Sequence, residues 1–148
     1  MSVAVRELQE TDRSDWESLY RGYAEFYEVP MTLETLDTVW QWIFDPQQHF
    51  WALLAIADDG SAVGLMHYRQ MPSPLRGTTI GFLDDLFVHP SHRGSGVVDA
   101  LFAALKDEAN SYGWPFVRWI TSEDNYRGRG VYDKLAEKTR WVTYQMPV

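Results

Sequence analysis

Apolar patterns of period two and period 3.6 follow one another along the 148 residues in the order β-α-α-β-β-β-α-β-α-β, which predicts an α/β (α+β) fold. The composition, 45% apolar and 23% charged, is enough to bury a core, and the length leaves no room for a second full domain. With no repeat, low-complexity tract or linker-like stretch, residues 1–148 read as one domain.

Val3, Val5 and Leu8 alternate with polar residues as a first strand. Ser14 with Glu17 forms a capping box that starts a helix there; Trp16, Leu19, Tyr20, Tyr23, Ala24 and Tyr27 share its apolar face until Pro30 intervenes. A second helix carries Leu33, Leu36, Val39, Trp40, Ile43 and Phe44 and stops before Pro46. Strands over 50–57 and 62–69 flank Asp58-Asp59-Gly60-Ser61, the turn chemistry of a hairpin. A loop over 70–77 leads to a long strand over 79–88, ended by Pro90. Val97, Val98, Leu101, Ala104, Leu105 and Ala109 keep helical spacing within 95–112, with Gly113 as the C′ residue. A strand over 116–121, a helix over 126–137 weakened by Gly128 and Gly130, and a closing strand over 141–145 complete the order.

The chain has no cysteine, so disulfide scaffolds, cysteine zinc sites and thiol catalysis are excluded. A net charge of −8 is the wrong sign for a generic nucleic-acid binder. The opening MSVAVREL lacks the pattern of a secretory signal, and the longest apolar run, 50–57, falls far short of the ~20 residues of a membrane span. A cytoplasmic protein without membrane or nucleic-acid partners is expected. The charge is unevenly placed: residues 1–68 carry −9 and the remainder +1, with Arg93 inside a glycine cluster and Arg127, Arg129, Lys134, Lys138 and Arg140 close together. Two differently solvated surfaces would account for this; so would a cationic substrate at one end and an anionic cofactor at the other.

The segment richest in chemistry runs from the strand Leu86-Phe87-Val88 through His89-Pro90-Ser91-His92-Arg93-Gly94-Ser95-Gly96 into a helix. Glycines between a strand and a helix N-terminus leave backbone N–H groups free to receive an anion, and Arg93 adds a charged donor. A turn that merely uses glycines is the plain alternative. The dinucleotide pattern fails because Asp99 stands where its third glycine belongs; no Lys-Ser/Thr pair makes a P-loop, and no Gly-x-Ser-x-Gly makes a nucleophile elbow.

Arg93-Gly94-Ser95-Gly96-Val97-Val98 resembles the Gln/Arg-x-x-Gly-x-Gly/Ala motif of the GCN5-related N-acetyltransferase (GNAT) superfamily. The lead-in strand Leu83-Asp84-Asp85-Leu86-Phe87-Val88 matches that resemblance, and Asn125-Tyr126-Arg127-Gly128-Arg129-Gly130-Val131-Tyr132 is similar to its Asn-x-x-Ala-x-x-x-Tyr. The resemblance covers essentially the whole chain, looks closest to the histone- and polyamine-type subgroup, and implies a mixed, mostly antiparallel sheet with helices on both faces. It implies acetyl-CoA as acetyl donor, no metal, and a pyrophosphate cradle at Arg93, Gly94, Ser95, Gly96, Val97 and Val98. The pantetheine arm would run along the splayed strand Leu86, Phe87, Val88 and meet Asn125. Val98 departs from the motif's Gly/Ala, and Gly128 from its usual Ala.

Acetyl transfer to an amine needs a base, an oxyanion donor and an acid for the departing thiolate. The resemblance makes Tyr132 the acid; a half-buried structural tyrosine is the alternative. Asp84 stands where related enzymes carry Glu, and strict alternation puts Asp84 and Asp85 on opposite faces, so that one of them meets the substrate. His67 and His89 are nominal bases that read better as structural residues, and His89-x-x-His92 is too little for a metal site. The first helices usually cover the acceptor groove in this family. Here that stretch holds Tyr23, Glu25, Phe26, Tyr27 and Glu28, aromatics and carboxylates suited to a small cationic amine such as a polyamine or an amino-acid-like compound. Helix packing alone would also explain the tyrosines. Other readings are a protein-lysine acetyltransferase and a non-catalytic acyl-CoA sensor, and the apolar closing strand suggests a homodimer.

Overall fold

The computed structural model describes residues 2–148. Strands β1 (Val3–Glu7), β2 (Phe50–Ala57), β3 (Ala62–Ser73), β4 (Thr78–Val88) and β5 (Val117–Trp119) form one sheet in sequence order. The first four are antiparallel neighbours, and β5 joins β4 in parallel. Helices α1 (Arg13–Phe26) and α2 (Leu33–Phe44) lie across one face. Their Trp16, Leu19, Leu36 and Val39 pack with Leu54, Leu65 and Phe87 of the sheet. Helix α3 (Val97–Tyr112) covers the other face, where Val97, Leu101 and Leu105 meet Leu53, Met66, Tyr68 and Leu83. Helix α4 (Tyr126–Leu135) follows β5. No helix among the described residues is long and apolar enough to cross a membrane.

Most elements form where their periodicity places them, with four differences. First, α1 begins at Arg13, not at a Ser14 cap. Asp12 accepts hydrogen bonds from the Gln9 backbone N–H and from Arg6, which fixes a 3-10 turn over Glu10–Asp12 and starts the helix early. Second, β3 continues through the stretch expected to be a loop, pairing Gln70–Ser73 with β4. Pro72 is tolerated because the pairing of β3 with β2 has already ended at Arg69, so the missing N–H faces no ladder. Third, α4 ends at Leu135, short of residue 137.

Fourth, the closing strand does not form. Residues 137–148 have no regular structure, and Trp141, Val142, Tyr144 and Met146 are all exposed. Alternating apolar residues make a strand only where an edge receives them.

Gly81 sits where β4, β5 and the α3 end converge. A Cβ there would stand 2.5 Å from the Trp114 ring and 3.0 Å from Val117. Gly81→Ala is therefore expected to lower stability by about 1–3 kcal/mol through overpacking, read as a lower urea midpoint at unchanged m-value; an unchanged midpoint would show that Trp114 moves aside freely.

Candidate active site

The site begins where two parallel strands part. β4 and β5 pair only over Gly81–Leu83 and Val117–Trp119. Beyond Leu83, β4 continues in register with β3 as far as Val88, but its other edge has no strand beside it among the described residues. A cleft of about 350 Å³ opens there, between β4, the start of α3, α4 and the end of α1.

The next residue after the parting is also irregular. Tyr68 pairs with Leu83 and His67 with Asp85, so Asp84 is an extra residue, a β-bulge. The bulge overturns the expected opposite facing of the two aspartates. Asp84 accepts from Arg69 Nε at 3.1 Å, and Asp85 lies 2.9 Å from His67 Nδ1. Arg69 and His67 are two residues apart on β3, hence on one face, and both carboxylates point toward α1. Burial and the adjacent Asp85 charge push Asp84 up, against the pull of Arg69. For Asp85 burial acts upward too, but hydrogen bonds from His67, Tyr23 and Tyr20 outweigh it and hold the group below the usual carboxylate range.

The turn into α3 is built on Gly94 (φ 81°) and Gly96 (φ 86°), both left-handed, with open space where each Cβ would stand. The chain thus enters α3 at the cleft with no Cβ at these two positions, which suits a phosphate approaching the backbone. Arg93 donates through Nε to the Val88 carbonyl at 3.2 Å, and its guanidinium lies over the rings of Phe26 (5.4 Å) and Phe87 (5.8 Å). Anchored this way, its remaining N–H groups can meet an anion. No carboxylate among the described residues lies within ion-pair reach of it.

Across the cleft, Tyr132 packs edge-on against Trp119 at 5.5 Å. Burial, with a smaller contribution from Tyr27, raises its phenol above the ordinary value, so the group carries its proton at neutral pH. Asn125 caps α4: its Oδ1 accepts from Gly128 N–H at 3.3 Å and its Nδ2 donates to Thr121 at 2.9 Å. A Cβ on Gly128 would collide with that amide, which accounts for glycine at this position.

A family model described as "Acetyltransferase (GNAT) family" matches residues 16–136. The chain belongs to this family. It is thus an acetyl-CoA-dependent GNAT N-acetyltransferase. The D-amino-acid N-acetyltransferase HPA3 of Saccharomyces cerevisiae is 28% identical to it over 144 residues, spanning 97% of this chain and 89% of that protein. A ribosomal-protein-alanine N-acetyltransferase from Brucella melitensis biovar Abortus superposes over all of both chains with a TM-score of 0.82 at 25% identity. The aminoglycoside N-acetyltransferase AAC(6')-Iy, solved in complex with CoA, shares the fold at a TM-score of 0.82 and 22% identity, covering 99% of this chain and 96% of that one.

Against the GNAT expectations, the cleft brings together Leu86, Phe87, Val88, Arg93, Gly94, Gly96, Val97, Val98, Asn125 and Tyr132, with Phe26 and Tyr27 at its α1 end. Val98 both lines the cleft and packs on the α3 core, so its side chain is partly drawn off the cradle. Ser95 does not line the cleft; its hydroxyl is turned back to the His92 carbonyl. Glu25 and Glu28 are exposed, and neither they nor Tyr23, Asp84 and Asp85 are among the residues that line the cleft. Tyr23 is half-buried beside Asp85. His92, Asp99, Arg127 and Val131 also line the cleft. The basic cluster near Arg127 was the signal that pointed to one of them.

Proposed function

We propose that this GNAT enzyme transfers an acetyl group from acetyl-CoA to a primary amine on a small cationic acceptor, a polyamine or an amino-acid-like compound, by direct attack with both substrates bound. The observation that carries this reading is Asp85. Its side chain is 17% exposed, accepts from Tyr20 at 3.0 Å and His67 at 2.9 Å, and adjoins the cleft-lining Leu86. Tyr27, whose phenol is raised by burial and then by the charge of Asp85, lines the α1 end of the cleft, which supports a carboxylate acting on what binds there. A carboxylate among tyrosine rings favours an ammonium over a neutral or anionic acceptor.

In this reading Arg93 and the Gly94–Gly96 backbone hold the CoA pyrophosphate, and the unpaired edge of β4 at Leu86–Val88 orients the pantetheine arm. Bound acetyl-CoA supplies an activated thioester. Asp85 holds the acceptor nitrogen and takes its proton, directly or through water; a backbone N–H of the free β4 edge faces the carbonyl oxygen; Tyr132 returns a proton to the sulfur as the C–S bond breaks. Asn125 spends its amide on the α4 cap and acts by holding that helix in place.

Turnover of acetyl-CoA against polyamines, D- and L-amino acids, aminoglycosides and a lysine peptide tests the acceptor class, with cationic small amines expected to give the highest kcat/KM. Preference for a neutral or anionic acceptor would overturn it, and preference for the peptide would favour a protein substrate.

We further propose that the protein works as a cytoplasmic homodimer through the exposed segment 137–148, whose Trp141, Val142, Tyr144 and Met146 present an apolar surface. Light scattering is expected to give a dimer for the full chain and a monomer after truncation at Lys138. A monomeric full chain at tens of micromolar would refute this.

A further inference from the structure

Trp16 and His67 are both fully buried, and the indole N–H of Trp16 donates to His67 Nε2 at 2.9 Å. An indole nitrogen only donates, so Nε2 must offer its lone pair. The ring's single proton then sits on Nδ1, directed at Asp85 Oδ2, 2.9 Å away. Packing holds the ring in place: the ring centroids of Tyr20 and Phe50 lie 4.6 Å and 5.4 Å from that of the imidazole. Tyr20 O–H donates to the same Oδ2 at 3.0 Å. A pair that served only to satisfy the buried indole would stop at His67. Here the chain runs on, from the floor of the α1 core to the carboxylate of Asp85, next in sequence to the cleft-lining Leu86, and with both ring nitrogens engaged the imidazole is not itself available to the acceptor.

We propose that His67, locked by Trp16 in its Nδ1–H tautomer, is a positioning residue that together with Tyr20 pins Oδ2 of Asp85 and so fixes the orientation of the carboxylate that meets the acceptor nitrogen. This rests on the reading of Asp85 as the group that meets the acceptor. The hydrogen bond with His67 is among the contacts that hold Asp85 low. The other titratable groups facing Asp85 are Tyr20, Tyr23 and Tyr27 from α1 and Asp84 on its own strand, with Arg69 of β3 beyond it.

The test joins kinetics to a direct reading of the tautomer. His67→Leu removes the donor at similar volume; kcat/KM for the amine is expected to fall about ten- to a hundredfold and the acid limb of its pH profile to move to higher pH, because ionised Asp85 loses a hydrogen bond. His67→Asn, which can present a donor near the Nδ1 position, is expected to recover part of both changes. Long-range ¹H–¹⁵N spectra of the wild-type protein at pH 7.5 should show the Nδ1–H tautomer, a result independent of whether any variant folds. An Nε2–H ring or an imidazolium would overturn the proposal, as would a His67→Leu profile equal to wild type. Asp85→Asn separates the two levels: loss there with none in His67→Leu refutes the positioning role alone, whereas no loss in Asp85→Asn refutes the reading beneath it.

Discussion

Asp85→Asn is expected to lower kcat/KM for the amine acceptor by about 10²- to 10⁴-fold, the range general acid–base groups contribute, with acetyl-CoA affinity nearly unchanged. The carboxylate faces α1 and its tyrosines, whereas the anion cradle lies at Gly94 and Gly96 on the start of α3. The substitution keeps the shape and one acceptor oxygen but removes the charge that holds an ammonium and the basicity that accepts its proton. Steady-state kinetics with both substrates varied, and calorimetry with CoA, separate the two. Asp84→Asn is the control. Asp84 is tied to Arg69, so a loss there equal to that of Asp85→Asn would move the base to the bulge residue.

Tyr132→Phe is expected to lower kcat by roughly ten- to a thousandfold with little change in the dissociation constant for acetyl-CoA. The ring already packs on Trp119 and Phe102, so phenylalanine preserves the wall of the cleft and deletes only the hydroxyl. Its raised phenol keeps the proton available throughout the neutral range, and the loss should therefore be flat from pH 6 to pH 8. An unchanged kcat removes Tyr132 from the proton path.

Local chemistry was readable where it is self-contained. The Asp58–Ser61 turn, the α3 periodicity with Gly113 left-handed at φ 73°, and the strand–glycine–helix cradle are all set by neighbours in sequence. What failed depends on the partner. The bulge at Asp84 exists only in the register of β4 against β3, and without it the two aspartates seem to face apart by simple alternation. Pro72 looked like a loop residue because nothing local says that β2 stops at Arg69. His67 reads as an isolated structural histidine until α1 lays Trp16 over it from 51 positions away. Glu25 and Glu28 belong to the acidic half of the chain, yet α1 ends at Phe26 and both side chains are exposed, while Phe26 and Tyr27 line the cleft, a division that charge along the sequence does not reveal.

The parting of β4 from β5 has a simple numerical origin. Pairing stops at Leu83, and the extra residue follows immediately. Because Asp84 is supernumerary, the faces on either side of it remain in phase: Leu83 and Leu86 both pack with the α3 core, while Asp85 and Phe87 both look to α1. A one-residue insertion bends a strand without exchanging its inside and outside. The opening of the cleft and the turning of two carboxylates to one face of the sheet are then a single event in the chain, which could be gained or lost without redesigning either core.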